Sequence, residues 1–242
     1  MTAPALLFLP GLLCDAEVWA AQTAALGRDR RCLVAEYGLA DALTTMAERA
    51  LQLADAAGLD RLAVVGHSMG GRVAAELWHL APQRVAGLAL MDTGWHPLPG
   101  GEAGQAERAG RQRLLDIARR QGMSAMARDW VQGMVHPDRL DTPLAEAVVA
   151  MLARRTPDHQ AAQIHALLHR PDASATLRTV TVPTLLLTGA QDAWSPPARH
   201  DEMAAMVAGP VSRVDVPHCG HMAPMEAPQA VTAALAAWLT TL

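Results

Sequence analysis

The chain has 242 residues, 51% apolar and 18% charged, with a mean hydropathy of +0.10; it can bury a sizeable core, and intrinsic disorder is excluded. Formal charge is −4 at pH 7, and every basic side chain is arginine or histidine, so no basic footprint marks it for nucleic acid or an anionic membrane. Three cysteines, Cys14, Cys32 and Cys219, make neither an even set nor a CxxC pair, which points to a reducing, cytoplasmic setting.

The first apolar run, Ala5 to Leu9, could imitate a signal-peptide core. No Lys or Arg precedes it and no small-residue cleavage site follows, so it reads as a strand. No stretch approaches the ~20 apolar residues of a membrane span. Asp15 reads as the N-cap of a helical stretch at Val18 to Leu26. Runs at Cys32 to Ala35, Leu62 to Val65 and Val85 to Met91 are nearly all apolar, as buried parallel strands are. Helical stretches at Leu43 to Ala57 and Gly71 to Leu80 alternate with them, the rhythm of a parallel α/β sheet. From His96 to about Arg178 the pattern is helical. There Thr142-Pro143 and Thr156-Pro157 read as N-cap plus first-turn proline, and Met123, Met126, Ala127, Trp130 and Met134 share one face. The rhythm resumes with Pro183 to Thr188, a helix opened by Ser195-Pro196, the strand Ser212 to Val216 and a last helix from Pro228. The expectation is a doubly wound, mainly parallel six-stranded α/β core, residues 1–95 and 179–242, with residues 96–178 inserted as a helical lid.

The segment Leu62-Ala63-Val64-Val65-Gly66-His67-Ser68-Met69-Gly70-Gly71 sets G-x-S-x-G between an apolar strand and a helix. A turn that sharp strains its central residue, and the flanking glycines remove side chains that would clash. Ser68 is thereby presented at a helix N-terminus, where amides can meet a developing negative charge.

At this point the chain resembles the α/β-hydrolase superfamily over essentially its whole length. Gly189-Ala190-Gln191-Asp192 matches the family's acid loop; Gly220-His221-Met222 with Glu226-Ala227-Pro228 matches its histidine loop and last helix. The resemblance implies a Ser68–His221–Asp192 triad, in which imidazole takes the serine proton and a buried carboxylate fixes the imidazole. It also implies an oxyanion hole from the amides of Met69 and of Leu12, in Leu9-Pro10-Gly11-Leu12. Pro10 stands where relatives commonly carry a histidine that braces this loop. Relatives also carry two earlier strands, so here the sheet is expected to be parallel throughout.

Asp92, at the end of the Val85 to Met91 run, is the rival acid. His218, Cys219 and His221 lack a fourth zinc ligand at useful spacing, and neither metal nor cofactor is implied. Arg108, Arg111, Arg113, Arg119 and Arg120 could hold a carboxylate, but read better as a solvated helix face. Trp19, Trp78 and Trp238 suit the core, whereas Trp95, Trp130, Trp194 and Met222 are expected to line an apolar substrate pocket. Cys14 and Cys219 are expected near the mouth of the site and Cys32 buried. The implied activity is serine hydrolysis of a small, partly apolar carboxylic ester. Lactone, thioester or carbon–carbon bond hydrolysis and acyl transfer share the triad, and a non-catalytic small-ligand receptor is the reading from another class.

Overall fold

The computed structural model describes residues 3–242. Six strands, β1 (Ala5–Leu9), β2 (Cys32–Val34), β3 (Leu62–His67), β4 (Val85–Met91), β5 (Thr184–Gly189) and β6 (Val211–Val216), form one sheet in the order β2-β1-β3-β4-β5-β6. Every pairing is parallel. Strands β1, β3, β4 and β5 are buried along their whole length, because helices cover both faces and leave no place for a polar alternation.

One helical layer pairs α1 (Ala20–Leu26) with α11 (Pro228–Leu239). On the other, α2 (Leu43–Ala56) packs on α3 (Met69–Leu80), which also meets α8 (Ser174–Arg178), and α8 meets α9 (Pro197–Met206). Between β4 and α8 lie α4 (Gly101–Gln121), α5 (Met123–Trp130), α6 (Pro143–Ala153) and α7 (Pro157–Leu168). Here α4 packs on α5 and α7, and α5 on α6. Although α8 belongs to the stretch read as inserted, its packing places it with the sheet-covering helices.

Local differences have local causes. The first helix opens as a 3-10 turn over Ala16–Trp19, capped by Asp15 Oδ1 on the Glu17 amide at 2.9 Å. Thr156 caps α7 through the His159 amide, whereas the Thr142 hydroxyl donates instead to the Arg139 carbonyl at 2.7 Å. Helix α9 begins one residue later than expected, with Pro196 at its N-cap, and the Ser195 amide donates to Asp192 instead.

The register sets the site. Leu9 pairs with Gly66, Gly66 with Leu90 and His67 with Met91, and Gly189 with Val216. The carboxyl ends of the strands therefore finish side by side, and the loops carrying Leu12, Ser68, Asp92, Asp192 and His221 leave the same edge, where ligands of open α/β sheets bind.

Candidate active site

Ser68 is the single residue between β3 and α3, with φ 55° and ψ −118°. A non-glycine residue held there costs on the order of 1–3 kcal/mol and persists only where its surroundings impose it. They do: the Ser68 amide donates to the Met91 carbonyl at 2.9 Å, and Thr93 Oγ1 donates to the Ser68 carbonyl at 2.7 Å. A Cβ on Gly66 would run into the Gly70 carbonyl, and one on Gly70 into the Leu9 carbonyl. Both glycines are required by close backbone approach.

His221 Nε2 lies 2.8 Å from Ser68 Oγ, and His221 Nδ1 lies 2.8 Å from Asp192 Oδ2. The second carboxylate oxygen of Asp192 accepts from the Trp194 and Ser195 amides at 2.8 and 2.9 Å. Burial alone would raise the Asp192 pKa, but His221 and these two amides outweigh it and hold the carboxyl below its ordinary value. An ionised Asp192 fixes the proton on Nδ1 and turns the Nε2 lone pair toward the serine hydroxyl.

Asp92 is fully buried one strand away, at φ 48°. Its Oδ1 accepts from the Gly189 amide at 2.9 Å, and its Oδ2, 3.6 Å from His67 Nε2, has no hydrogen-bond partner among the described residues. Burial, followed by repulsion from Asp192, pushes its pKa well up, favouring the protonated form, and it does not reach His221. His67 turns away from the serine hydroxyl and stands behind the histidine loop, its Nε2–H donating to the His221 carbonyl at 2.7 Å. Burial, then the neighbouring His221, lowers its pKa to about 3.

The loop after β1 supplies a second amide. Neither the Leu12 nor the Met69 N–H is taken by another group among the described residues. The Leu13 amide, at φ 62°, is taken by Gln163 Oε1 at 2.7 Å, and the Tyr37 hydroxyl donates to the Pro10 carbonyl at 3.2 Å. Tyr37 and Gln163 thus do the bracing for which the sequence offered no histidine. Glu226 organises the histidine loop, accepting from the Gly220, Met222 and His136 amides at 2.7–3.1 Å.

A cavity of about 760 Å³ opens above Ser68 and His221, bordered by Leu12, Met69, Trp130 and Trp194. Trp130 stacks on Trp194 at 5.8 Å, and Trp194 lies 4.9 Å from the His221 ring. Trp95 does not border it. Its ring stacks on His96 at 3.7 Å and its carbonyl accepts from Ala173. Met222 is buried behind the histidine, beside a small crevice it shares with Cys14 and His67.

The solvated reading of the α4 arginines holds for Arg108, Arg119 and Arg120, which are exposed. It fails at Arg111, whose guanidinium turns inward onto Glu107 at 2.8 Å and borders the cavity; Arg113 also borders it while paired outward with Asp129. Arg72, Arg170 and Arg199 join them. Arg72 was not singled out from the sequence, although its place one helical turn past Ser68 is a signal that could have found it, whereas Arg170, Arg199, Gln163 and Tyr37 carry no local signal. Cys32 is half-buried rather than buried, while Cys14 and Cys219 are the enclosed thiols. Burial, reinforced by Asp15, pushes Cys14 up to about 12; burial also raises Cys219.

Among the described residues no group of three or more His, Cys, Asp or Glu could hold a metal ion, and no helix is long and apolar enough to cross a membrane.

Known proteins resemble this chain to different depths. An esterase from Thermogutta terrifontis, solved with malate bound, is 28% identical and superposes with a TM-score of 0.87 over 99% of this chain and 90% of its own. An enol-lactonase from Burkholderia xenovorans LB400, 22% identical, superposes with a TM-score of 0.85 over 99% and 92% and shares the fold. The "Putative carbamate hydrolase RutD" of Klebsiella pneumoniae (strain 342) is 27% identical over 241 residues, 90% of this chain and 85% of its own. The sequence profile of the Alpha/beta hydrolase family matches residues 6–235, and the chain belongs to that family.

Proposed function

We propose that this protein is a serine hydrolase that cleaves a small carboxylic ester through an acyl-enzyme on Ser68. The observation that carries the reading is the unbroken chain from Asp192 through His221 to Ser68 Oγ, each link 2.8 Å, beside the two untaken amides of Leu12 and Met69. In the first half-reaction His221 Nε2 takes the serine proton as Oγ attacks the ester carbonyl, and Asp192 stabilises the resulting imidazolium. The Leu12 and Met69 amides hold the tetrahedral oxyanion, and His221 returns the proton to the departing alkoxide. Water, deprotonated by the same imidazole, then releases the acid and restores the serine.

The Thermogutta relative, an esterase at 28% identity, supports ester chemistry. The Klebsiella relative's name supports carbamate cleavage as the second reading, in which the same steps expel a carbamate's leaving group. On either reading residues 96–178 serve as a lid: His221 donates its amide to Met134 at 2.8 Å, so the inserted helices meet the histidine loop directly. The three unpaired cysteines favour a cytoplasmic setting.

The deciding experiment is fluorophosphonate labelling followed by a panel of esters and carbamates of graded acyl length, on wild type and Ser68→Ala. Expected are labelling at Ser68 and a rate loss on the order of 10⁶ in the variant. Undiminished turnover by Ser68→Ala overturns the assignment, and a pocket that binds acyl ligands without turning any over favours the receptor.

A further inference from the structure

Five guanidinium groups border the cavity above Ser68; Arg113 is paired outward with Asp129, which leaves four: Arg72 on α3, Arg111 on α4, Arg170 after α7 and Arg199 on α9. Two carboxyl groups border it with them. Asp92 is driven toward its neutral form by burial, and Glu107 is shared, lying 2.8 Å from both Arg111 and Arg170. The guanidiniums therefore outnumber the facing carboxylate charge four to one. In a half-enclosed site that imbalance is costly, because Coulomb repulsion at reduced dielectric is several times stronger than in water.

The excess sits on Arg72 and Arg199. Neither is paired with a carboxylate among the described residues; Arg72 Nη1 donates to the His96 carbonyl at 2.8 Å and Arg199 Nη1 to the Trp194 carbonyl at 2.6 Å, contacts that orient the side chains without neutralising them. Their ends converge over Gly94. Arg199 Nη1 and Arg72 Nη2 lie 3.2 and 3.3 Å from the point where a Cβ on Gly94 would sit. Burial, then repulsion from Arg170 and Arg199, lowers the Arg72 pKa to about 9, which leaves it charged at neutral pH in a place where an arriving anion relieves the strain.

We infer that the cavity takes a substrate bearing an anionic group, a carboxylate or a phosphate, which Arg72 and Arg199 bind while its scissile carbonyl lies at Ser68. This deepens, and rests on, the hydrolase reading above. Guanidinium forks match both anions, each able to take two parallel N–H bonds. Arg72 stands four residues beyond Ser68, roughly 6 Å along the helix and on the same face, and both border the one cavity, so a single small molecule can meet both. Hydrolysis of such a half-ester adds water, releases the alcohol and one proton, and leaves a dianion that the same arginines bind as product.

The test joins binding to turnover. Succinate, inorganic phosphate and neutral succinamide are titrated calorimetrically into wild type, Arg72→Gln and Arg199→Gln at low and at about 0.3 M salt, and hydrolysis of monomethyl succinate is compared with that of dimethyl succinate. Succinate or phosphate is expected to bind at least ~10-fold tighter than succinamide, with a preference that salt weakens. The half-ester is expected to exceed the diester by ~10-fold in kcat/KM. Each glutamine variant should cut that ratio by about 10-fold, equivalent to ~1.4 kcal/mol, while Arg108→Gln, on the exposed face of α4, leaves it unchanged.

The stronger ligand identifies the anion. Equal affinity for succinate and succinamide in the wild type overturns the inference, and this arm stands even if a glutamine variant fails to fold. A fluorophosphonate-labelled Ser68 beside a charge-blind cavity defeats this inference alone. Salt-sensitive succinate binding without any ester turnover or labelling defeats the hydrolase reading alone.

Discussion

Gln163 and Leu13, 150 residues apart in the chain, are joined by a 2.7 Å hydrogen bond from the Leu13 amide to the Gln163 side-chain oxygen. The bond fastens α7 to the loop after β1. It also consumes the amide next to Leu12, at a backbone turn of φ 62°, while the Leu12 N–H, at the border of the cavity, is taken by no other group among the described residues.

Gln163→Leu keeps the volume of that side chain and removes its acceptor. Losing a whole oxyanion donor costs about 10²–10³ in kcat; a displaced donor should cost somewhat less, on the order of 10–100-fold in kcat with KM little changed. Steady-state kinetics with a matched fluorophosphonate inactivation rate would read the effect. An unchanged kcat would mean that Tyr37, on the Pro10 carbonyl, holds the loop unaided.

Asp192→Asn should lower kcat by about 10⁴, as loss of the orienting carboxylate does in a comparable triad. Asp92→Asn should be nearly silent, since asparagine mimics the protonated acid and tolerates the φ of 48° found there. Because the Asp92 pKa is raised on folding, its contribution is present at low pH and lost as pH rises. The Asn variant should therefore gain stability over wild type between pH 5 and 8, measured by urea unfolding. The reverse ranking of the two activities would transfer the acid role to Asp92.

Acid should unfold the protein partly through His67. Its folded pKa is lowered to about 3 against ~6.5 for a free imidazole. The unfolded chain therefore binds the proton first, and stability that is complete above about pH 6.5 drains away as pH falls toward 3. At pH 4 the loss is on the order of 3 kcal/mol. His200, lowered to about 4 chiefly by burial, acts in the same direction. His67→Gln should flatten the decline in unfolding free energy between pH 7 and 4, whatever its absolute effect on stability, and a slope identical to wild type would refute the assignment.

Thiol titration of the native protein should find one reactive cysteine, Cys32, half-buried at the start of β2. Cys14 and Cys219 are enclosed and their thiols are held protonated by burial, so they should react only as the protein unfolds. Modification of Cys32, a strand away from the site, should leave ester turnover intact. Rapid labelling of Cys14 with loss of activity would instead show that this thiol, beside Ser68 and His221 in the small crevice, is open to reagents.

The sheet was legible because central parallel strands leave no alternation to misread: Val85 to Met91 is apolar throughout and is β4 from end to end. The turn at Ser68 was legible because Gly66 and Gly70 answer to backbone collisions that any substitution would create. Helix α4 shows where such reading stops. Glu107 and Arg111 stand at i, i+4 spacing, which describes a solvated ion pair as well as one turned onto Arg170, and only packing tells the two apart. Trp95 was placed in the pocket by nearness to the end of β4, yet a ring can turn either way from a loop, and this one lies on His96. Pro10 suggested a loop without its brace; the brace arrives from Tyr37 and Gln163, through contacts with no sequence proximity.

The Glu226 carboxylate serves two masters, taking the Gly220 and Met222 amides of the histidine loop and the His136 amide of the stretch between α5 and α6. With Gln163 on Leu13, it means that the stretch bordering the cavity and the loops that carry Leu12 and His221 share their anchoring bonds. An engineer who transplants residues 96–178 from a relative to change selectivity thus also replaces Gln163 and His136. Chimaeras of this protein should show altered turnover even on substrates too small to touch the new helices, and recover it when Gln163 is written back into the graft and position 136 keeps a backbone N–H for Glu226.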